Sequence, residues 1–271
     1  MSCREPNIQQ VPQRSERSKR IRDIFVAAPG KVFIVADLSQ IELRVLAHYT
    51  QDPNLTRAYK EGLDLHAMTA ETVFGADFTP EQRSLAKNGN FSIIFGAGPG
   101  TLVRRYGFPS ERVARQVLEG FYATYEEVGP WRQRILELAY SRRKGKTPPY
   151  VKTVLGRKRR LPGLLSSVPK NRYGAQRQAV SSIIQGSAAD LFKVAVINCD
   201  DALIETGWDA HILMVVHDEL VVEVPECHAE AGLTLVKHCL ESIENPFKGG
   251  PILDVPLVAD ANIVSRWSDA K

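Results

Sequence analysis

The sequence predicts an α+β fold in which a largely helical stretch interrupts one β-sheet. Three observations carry this. A β-branched apolar run, "KVFIVADLS" (31–39), comes early, and a pair of apolar runs, "LMVVHDELVVEV" (213–224), comes late. Most of what lies between them has helical periodicity. A chain of 271 residues is long enough to bury a substantial core, and strands supplied from both ends fit a single shared sheet.

The elements follow in order. After the first strand, "QIELRVLAHY" (40–49) has helical character and "DPN" (52–54) breaks it. Helices are expected over "LTRAYKEG" and "DLHAMTAETVFG". At "TPEQ" (79–82), Thr79 can cap, Pro80 fits the first helical position, and Gln82 completes a capping box. "GAGPG" (96–100) stops that helix, and further helices cover 110–125 and 130–143. "YVKTVLGRKRRLPG" (150–163) reads as a hairpin turning at Gly156, followed by a long helix over 172–201. The bent β-element comes next, then a helix near 227–244 and the strand-like "PLVADANIV". There is no internal repeat and no low-complexity segment.

Composition narrows the partners. Lys and Arg number 35 against 31 Asp and Glu, a net charge of +4, and the cations cluster in "RSERSKRIR" (14–22), "SRRKGK" (141–146) and "GRKRR" (156–160). Three such clusters beside convergent acids favour a polyanion. The four cysteines form no CxxC pair and no zinc-like spacing with histidine, so reduced thiols are expected. No apolar run reaches the roughly 18–20 residues of a membrane span, and the polar start "MSCREPNIQQ" has no signal-peptide core. The expectation is a protein of the cytoplasm or an organelle lumen, with no membrane anchor.

Three groups of residues carry chemistry. Asp37 closes the first strand, and Asp218 with Glu219 interrupts the late apolar runs. Carboxylates in apolar surroundings are costly unless paired or metal-bound. Hard divalent cations would resolve this, and two ions ~3.5–4 Å apart can clamp the attacking and leaving oxygens of a phosphoryl transfer. A polar hairpin tip at the surface explains an isolated "HDE" equally well. The second group, Arg83, Lys87, Phe91 and Phe95, recurs every four residues and forms one helical stripe. Its cationic half suits a triphosphate and its aromatic half a base or sugar; ordinary burial of two phenylalanines is the plainer alternative. The third, Arg177, Ser181 and Gln185, is a polar line suited to nucleic-acid backbone and minor-groove acceptors, although a solvated helix side would look the same.

Together these stretches resemble the family-A DNA polymerases, the bacterial DNA polymerase I class. "DLSQIELR" (37–44) looks like that family's first palm motif, "RSLAKNGNFSIIFG" (83–96) its fingers-helix motif, and "VHDEL" (216–220) its second catalytic palm motif. "PNIQQVP" (6–12), "DLH" (64–66), "TVLGRKRRLP" and "QGSAADL" match in the family's order, so the resemblance covers essentially the whole chain. It implies an antiparallel palm sheet with a helical fingers insertion: palm over residues 1–50 and 186–271, fingers over 51–185. It implies template-directed DNA synthesis from dNTPs on primer–template DNA. Asp37 and Asp218 would hold two Mg²⁺ ions, with Mn²⁺ able to substitute, and Glu219 would be an accessory carboxylate. His66, Arg83 and Lys87 would contact the triphosphate, and Phe91 the sugar. Glu42 would exclude a ribose 2′-hydroxyl and Gln40 would support the nucleotide site. Arg177, Ser181, Gln185 and His217 would contact the DNA.

Three departures stand out. Phe95 occupies a position where the family usually has tyrosine, so the hydroxyl that would bond Glu42 is absent. Leu38 replaces a common aromatic, and Ser181 a common asparagine. The chain also starts just after the family's T-G-R-x-S motif, so the thumb and exonuclease domains are expected to be missing. A fragment, or one half of a split polymerase working with a separate N-terminal half, is the favoured account. The alternative function is a non-catalytic nucleic-acid-binding module. The acidic trio speaks against it, because carboxylates repel phosphate.

Overall fold

The structure, a computed structural model, describes Val11 and residues 20–270. It divides into two compact units: Met1–Ile41, Ala189–Ile252 and Leu257–Lys271 form one, and Glu42–Ala188 with Leu253–Pro256 the other. "PNIQQVP" apart from Val11, most of the 14–22 basic cluster and Cys3 lie outside the described residues.

The first unit is built on a four-stranded antiparallel sheet of order β4-β5-β1-β6. Its strands are β1 (Lys31–Leu38), β4 (His211–Val216), β5 (Glu219–Pro225) and β6 (Ala259–Val264). The two central strands, β1 and β5, are the most continuously apolar and the most buried, because both of their faces are covered. One face takes helix α9 (Ala229–Glu241). A Cβ on Gly232 would lie 2.8 Å from Ile34 Cδ1, so the bare glycine lets α9 sit close to the sheet. On the other face Phe33, Val35, Val216 and Val221 form one buried cluster with Trp267. The strands at the two ends of the sequence therefore do share one sheet, as expected.

The second unit is largely helical. Its elements are α1 (Ile41–Thr50), α2 (Pro53–Glu61), α3 (Leu65–Phe74), α4 (Pro80–Ile94), α5 (Pro99–Tyr106), α6 (Glu111–Thr124) and α7 (Val128–Ser141). A short hairpin follows, β2 (Tyr150–Lys152) and β3 (Lys158–Arg160), with Gly156 at a φ of 83° in its turn. "DPN" does more than break a helix: Asp52 caps α2, accepting from the N–H groups of Asn54 and Leu55, and Pro53 opens it. The capping box at Thr79 and Gln82 forms as the sequence predicts.

The long helix α8 (Pro169–Thr206) exceeds its expected range at both ends, since nothing breaks it before Gly207 at a φ of 67°. Contrary to the sequence expectation, α8 is by length and composition apolar enough to cross a membrane, alone among the described residues; half of its most apolar window is buried inside the protein. Cys199 and Cys239 are buried and Cys227 is exposed, and all three are unbridged.

Candidate active site

Backbone pairing places the carboxylates. Asp37 lies opposite Glu219 of β5 on one side and opposite Asp260 of β6 on the other, so these three residues share one face at one end of the sheet. Asp218 stands in the two-residue turn between β4 and β5. Its carbonyl accepts a 3.4 Å bond from the N–H of Leu38, which ties the hairpin tip to the end of β1. Asp37 is half-buried and Asp218 exposed. Two positive-φ residues flank them, His217 at 59° and Gln40 at 54°. Non-glycine residues there carry strain of order 1–3 kcal/mol, the kind that collects at functional sites.

Glu219 behaves differently. It is only 3% exposed, accepts a 2.8 Å bond from Trp267 Nε1, and stands 3.7 Å from Arg22 Nη1. The Arg22 guanidinium also lies 3.9 Å over the Trp267 ring. Burial lowers the Arg22 pKa while Glu219 raises it, a charge held in place by its partner. Among the described residues no three His, Cys, Asp or Glu side chains form a ready-made metal cage. Asp37 and Asp218 still offer hard oxygen donors at one end of the sheet, which suits Mg²⁺, an ion that keeps several waters or phosphate oxygens among its ligands.

The second group lies on α4. Arg83, Lys87 and Phe91 stand along the helix, but α4 ends at Ile94 and Phe95 is its cap rather than the stripe's last helical member. The cause is Gly96, whose φ of 83° turns the chain out of the helix. Lys87 is exposed. Arg83 is fixed by Asp64: its Nε and Nη2 stand 2.7 and 2.6 Å from one carboxylate oxygen. Asp64 also caps α3 through the N–H groups of His66 and Ala67. Burial works to raise the Asp64 pKa, but those backbone bonds and Arg83 outweigh it, and the net direction is down. His66 is only 4% exposed, with its ring 5.8 Å from that of Phe91. Its pKa falls to about 4, chiefly through burial and helped by Lys87 and Arg83, against the pull of Asp64. At neutral pH it is a neutral imidazole.

The third group lies on α8. Ser181 and Gln185 line a cavity of about 440 Å³ together with Thr153, Arg157, Lys158 and Arg159 of the β2–β3 hairpin. The hairpin docks on α8 through small residues: Arg157 donates to the Gly186 carbonyl (2.9 Å), and the Val154 N–H to Ser187 Oγ (2.9 Å). A Cβ on Gly186 would come within 2.8 Å of Thr153 Cγ2. "QGSAADL" thus provides a seat for a basic hairpin beside a polar helix line. Arg177 stands apart from that cavity lining. Its stem passes Gly96 so closely that a Cβ there would lie 2.8 Å from Arg177 Cδ.

Comparison with known proteins gives the family. The family model for DNA polymerase family A matches residues 1–269. This chain belongs to DNA polymerase family A. It is 40% identical over its full length to 31% of a thermostable DNA polymerase I of Thermus filiformis. It is 36% identical over its full length to 28% of the DNA polymerase I of Pseudomonas aeruginosa. Among solved structures, the POL domain of Pol1 from M. smegmatis, in complex with DNA primer-template and dNTP, superimposes with a TM-score of 0.87 at 35% identity. That match covers 99% of this chain and 46% of the other. The chain thus spans under a third of the length of these curated family-A relatives.

Within the family-A frame, five residues around the sites escaped the sequence reading. Asp260 is visible only through strand register, Arg22 lies in a basic cluster whose sequence reading is a polyanion contact rather than a buried ion pair, and Trp267 has no motif. Asp64 was noted only as part of "DLH", and Asn90 only as a letter between Lys87 and Phe91. Alternating capping letters could have flagged Asp64; nothing local could have flagged the others.

Proposed function

We propose that this chain carries out the nucleotidyl-transfer step of template-directed DNA synthesis, in which a primer 3′-hydroxyl attacks the α-phosphate of a dNTP and pyrophosphate leaves. The observation that supports it most is the placement of Asp37 and Asp218 at one end of the sheet by register and turn. Those two carboxylates would hold the divalent ions, Mg²⁺ or Mn²⁺, which when bound supply Lewis acidity at the phosphate and make the hydroxyl a better nucleophile. Every other contribution comes from side chains. Lys87 and Arg83 oppose the charge on the departing pyrophosphate, with Arg83 kept in one orientation by Asp64. Phe91 packs against the sugar, Phe95 ends the helix beside it, and Glu42 bars a 2′-hydroxyl while Gln40 supports the site. Arg177, Ser181, Gln185 and His217 contact primer–template DNA, and the basic hairpin extends that surface. Glu219 acts by position: Trp267 and Arg22 anchor it, and it anchors the strand that follows Asp218. In family terms residues 1–50 and 186–271 form the palm and 51–185 the fingers. That the M. smegmatis neighbour was solved with primer-template and dNTP supports the same substrates here.

The test is Mg²⁺-dependent primer extension by the chain, alone and with an upstream thumb-containing polymerase segment added. Extension in the complemented reaction is expected, lost in Asp37→Ala and Asp218→Ala. No extension after complementation, with DNA still bound, would favour the non-catalytic binding module.

A further inference from the structure

Asn90 of α4 is fully buried, and its side chain enters a polar network closed off from water. The amide nitrogen lies 3.0 Å from Thr69 Oγ1, 3.2 Å from His66 Nδ1 and 3.4 Å from the Leu65 carbonyl oxygen. Tyr125 joins from beyond α6, its hydroxyl donating to the same carbonyl (2.9 Å) and standing 3.0 Å from Thr69 Oγ1. The protons in this network can be assigned by elimination. Thr69 Oγ1 gives its one proton to the Leu65 carbonyl (3.1 Å), so it can only accept from Asn90, and the amide therefore turns its nitrogen, not its oxygen, inward. A donating nitrogen can meet only a lone pair at His66 Nδ1. The ring proton must then sit on Nε2.

We infer that Asn90 is a positioning residue that holds His66 as a neutral imidazole protonated at Nε2, a hydrogen-bond donor rather than a cation for a triphosphate oxygen. This rests on the triphosphate reading of His66. Two further observations support it. The Asn90 Oδ1 atom is buried with no hydrogen-bond partner among the described residues. An orphaned buried carbonyl is costly, a penalty that an apolar side chain of similar shape would avoid. A required donor at this position accounts for that cost. The charges around the ring point the same way. Asp64 at the start of α3 attracts a proton to it, while Arg83 and Lys87 of α4 oppose one, and Tyr125 is kept protonated by burial. With two cations already facing the phosphates, a third would repel its neighbours. A neutral N–H adds direction without that repulsion.

Nitrogen-15 NMR of the histidine-labelled chain, with no nucleotide present, tests this. His66→Gln assigns the His66 signal among the 6 histidines. Wild type is expected to show a bare Nδ1 and a protonated Nε2 from neutral pH down to about pH 5. Asn90→Asp places an acceptor opposite Nδ1, so the proton should move to Nδ1 and the ring should titrate at higher pH than in wild type. Thr69→Val removes a neighbour but keeps the donor, and should retain the wild-type pattern. An Nδ1–H tautomer in wild type would overturn the inference, as would an unchanged pattern in Asn90→Asp or a shifted one in Thr69→Val. If Asn90→Asp does not fold, the wild-type tautomer decides. Because the readout needs no substrate, it stands or fails separately from primer extension.

Discussion

The end of the sheet and the α3–α4 face place their charges by different means. At the sheet, backbone pairing sets Asp37 opposite Glu219 and Asp260, and a two-residue turn presents Asp218. On the helices, side chains do it: Asp64 orients Arg83, and Asn90 with Thr69 and Tyr125 orients His66. The first arrangement tolerates the loss of a side chain, because strands and turn remain. The second does not, since each group is held by another group's proton or lone pair. Within the sheet end the same distinction separates two chain neighbours. Asp218 is exposed in the turn; Glu219 is buried against Trp267 and Arg22.

The widest separation between those neighbours is expected in activity. Asp218→Ala and Asp37→Ala should lower complemented primer extension at least about a thousandfold, as loss of a principal charge-stabilising group does. Asp218→Ala should leave stability within roughly 0.5 kcal/mol of wild type, as for an exposed residue. A marked drop in its unfolding midpoint would mean that the turn depends on the carboxylate and not on backbone pairing.

Glu219→Ala should show the converse. It leaves the Arg22 guanidinium without its carboxylate and the Trp267 indole N–H without an acceptor, both in a buried cluster. Breaking a buried pair from one side costs about 3–5 kcal/mol. Glu219→Gln keeps an oxygen for Trp267 and should cost less. Urea denaturation followed by tryptophan fluorescence measures both, and equal costs for the two variants would show that the charge, not the indole bond, is what matters.

This contrast also explains what was legible from the sequence. Strand runs, the capping box at Thr79 and the hairpin at Gly156 depend on neighbours within a few residues, so local pattern found them. The placement of Asp37 with Asp218 followed from assuming that two apolar runs pair. Glu219 follows Asp218 in the chain and pairs opposite Asp37, yet its side-chain partners Arg22 and Trp267 are remote in sequence and have no local signal. Asn90 failed for the same reason, since its partners lie on α3 and beyond α6. "GAGPG" marks the end of α4 to within two residues, but the four-residue spacing carries the stripe on to Phe95, which the structure makes the helix cap.

A smaller effect isolates the helical face. The folded-state pKa of His66, about 4, lies below its unfolded value of 6.5. As pH falls, the unfolded chain therefore takes up this proton first. The stability linked to His66 is fully present above pH 6.5 and is lost between 6.5 and about 4, a difference of roughly 3 kcal/mol. Unfolding free energies measured across that window should fall less steeply in His66→Gln than in wild type. Parallel slopes would show that the imidazole accepts a proton in place, and that the network does not hold it neutral.

The smallest expected effect concerns the residue at the end of that face. Phe95 caps α4, and the resemblance implies that a tyrosine in its place would offer a hydroxyl toward Glu42. Phe95→Tyr keeps the ring and adds one donor, worth a net 0.5–1.5 kcal/mol, or roughly a few-fold to tenfold, if it engages the carboxylate. That bond would stiffen Glu42 against a ribose 2′-hydroxyl, so the ratio of dNTP to rNTP incorporation should rise by about that factor in complemented extension assays, with dNTP incorporation itself little changed. A rise confined to dNTP rate would place the gain in stacking. An unchanged ratio would mean that Glu42 is already held by its existing contacts, and that side-chain networks on this face can set selectivity without the tyrosine.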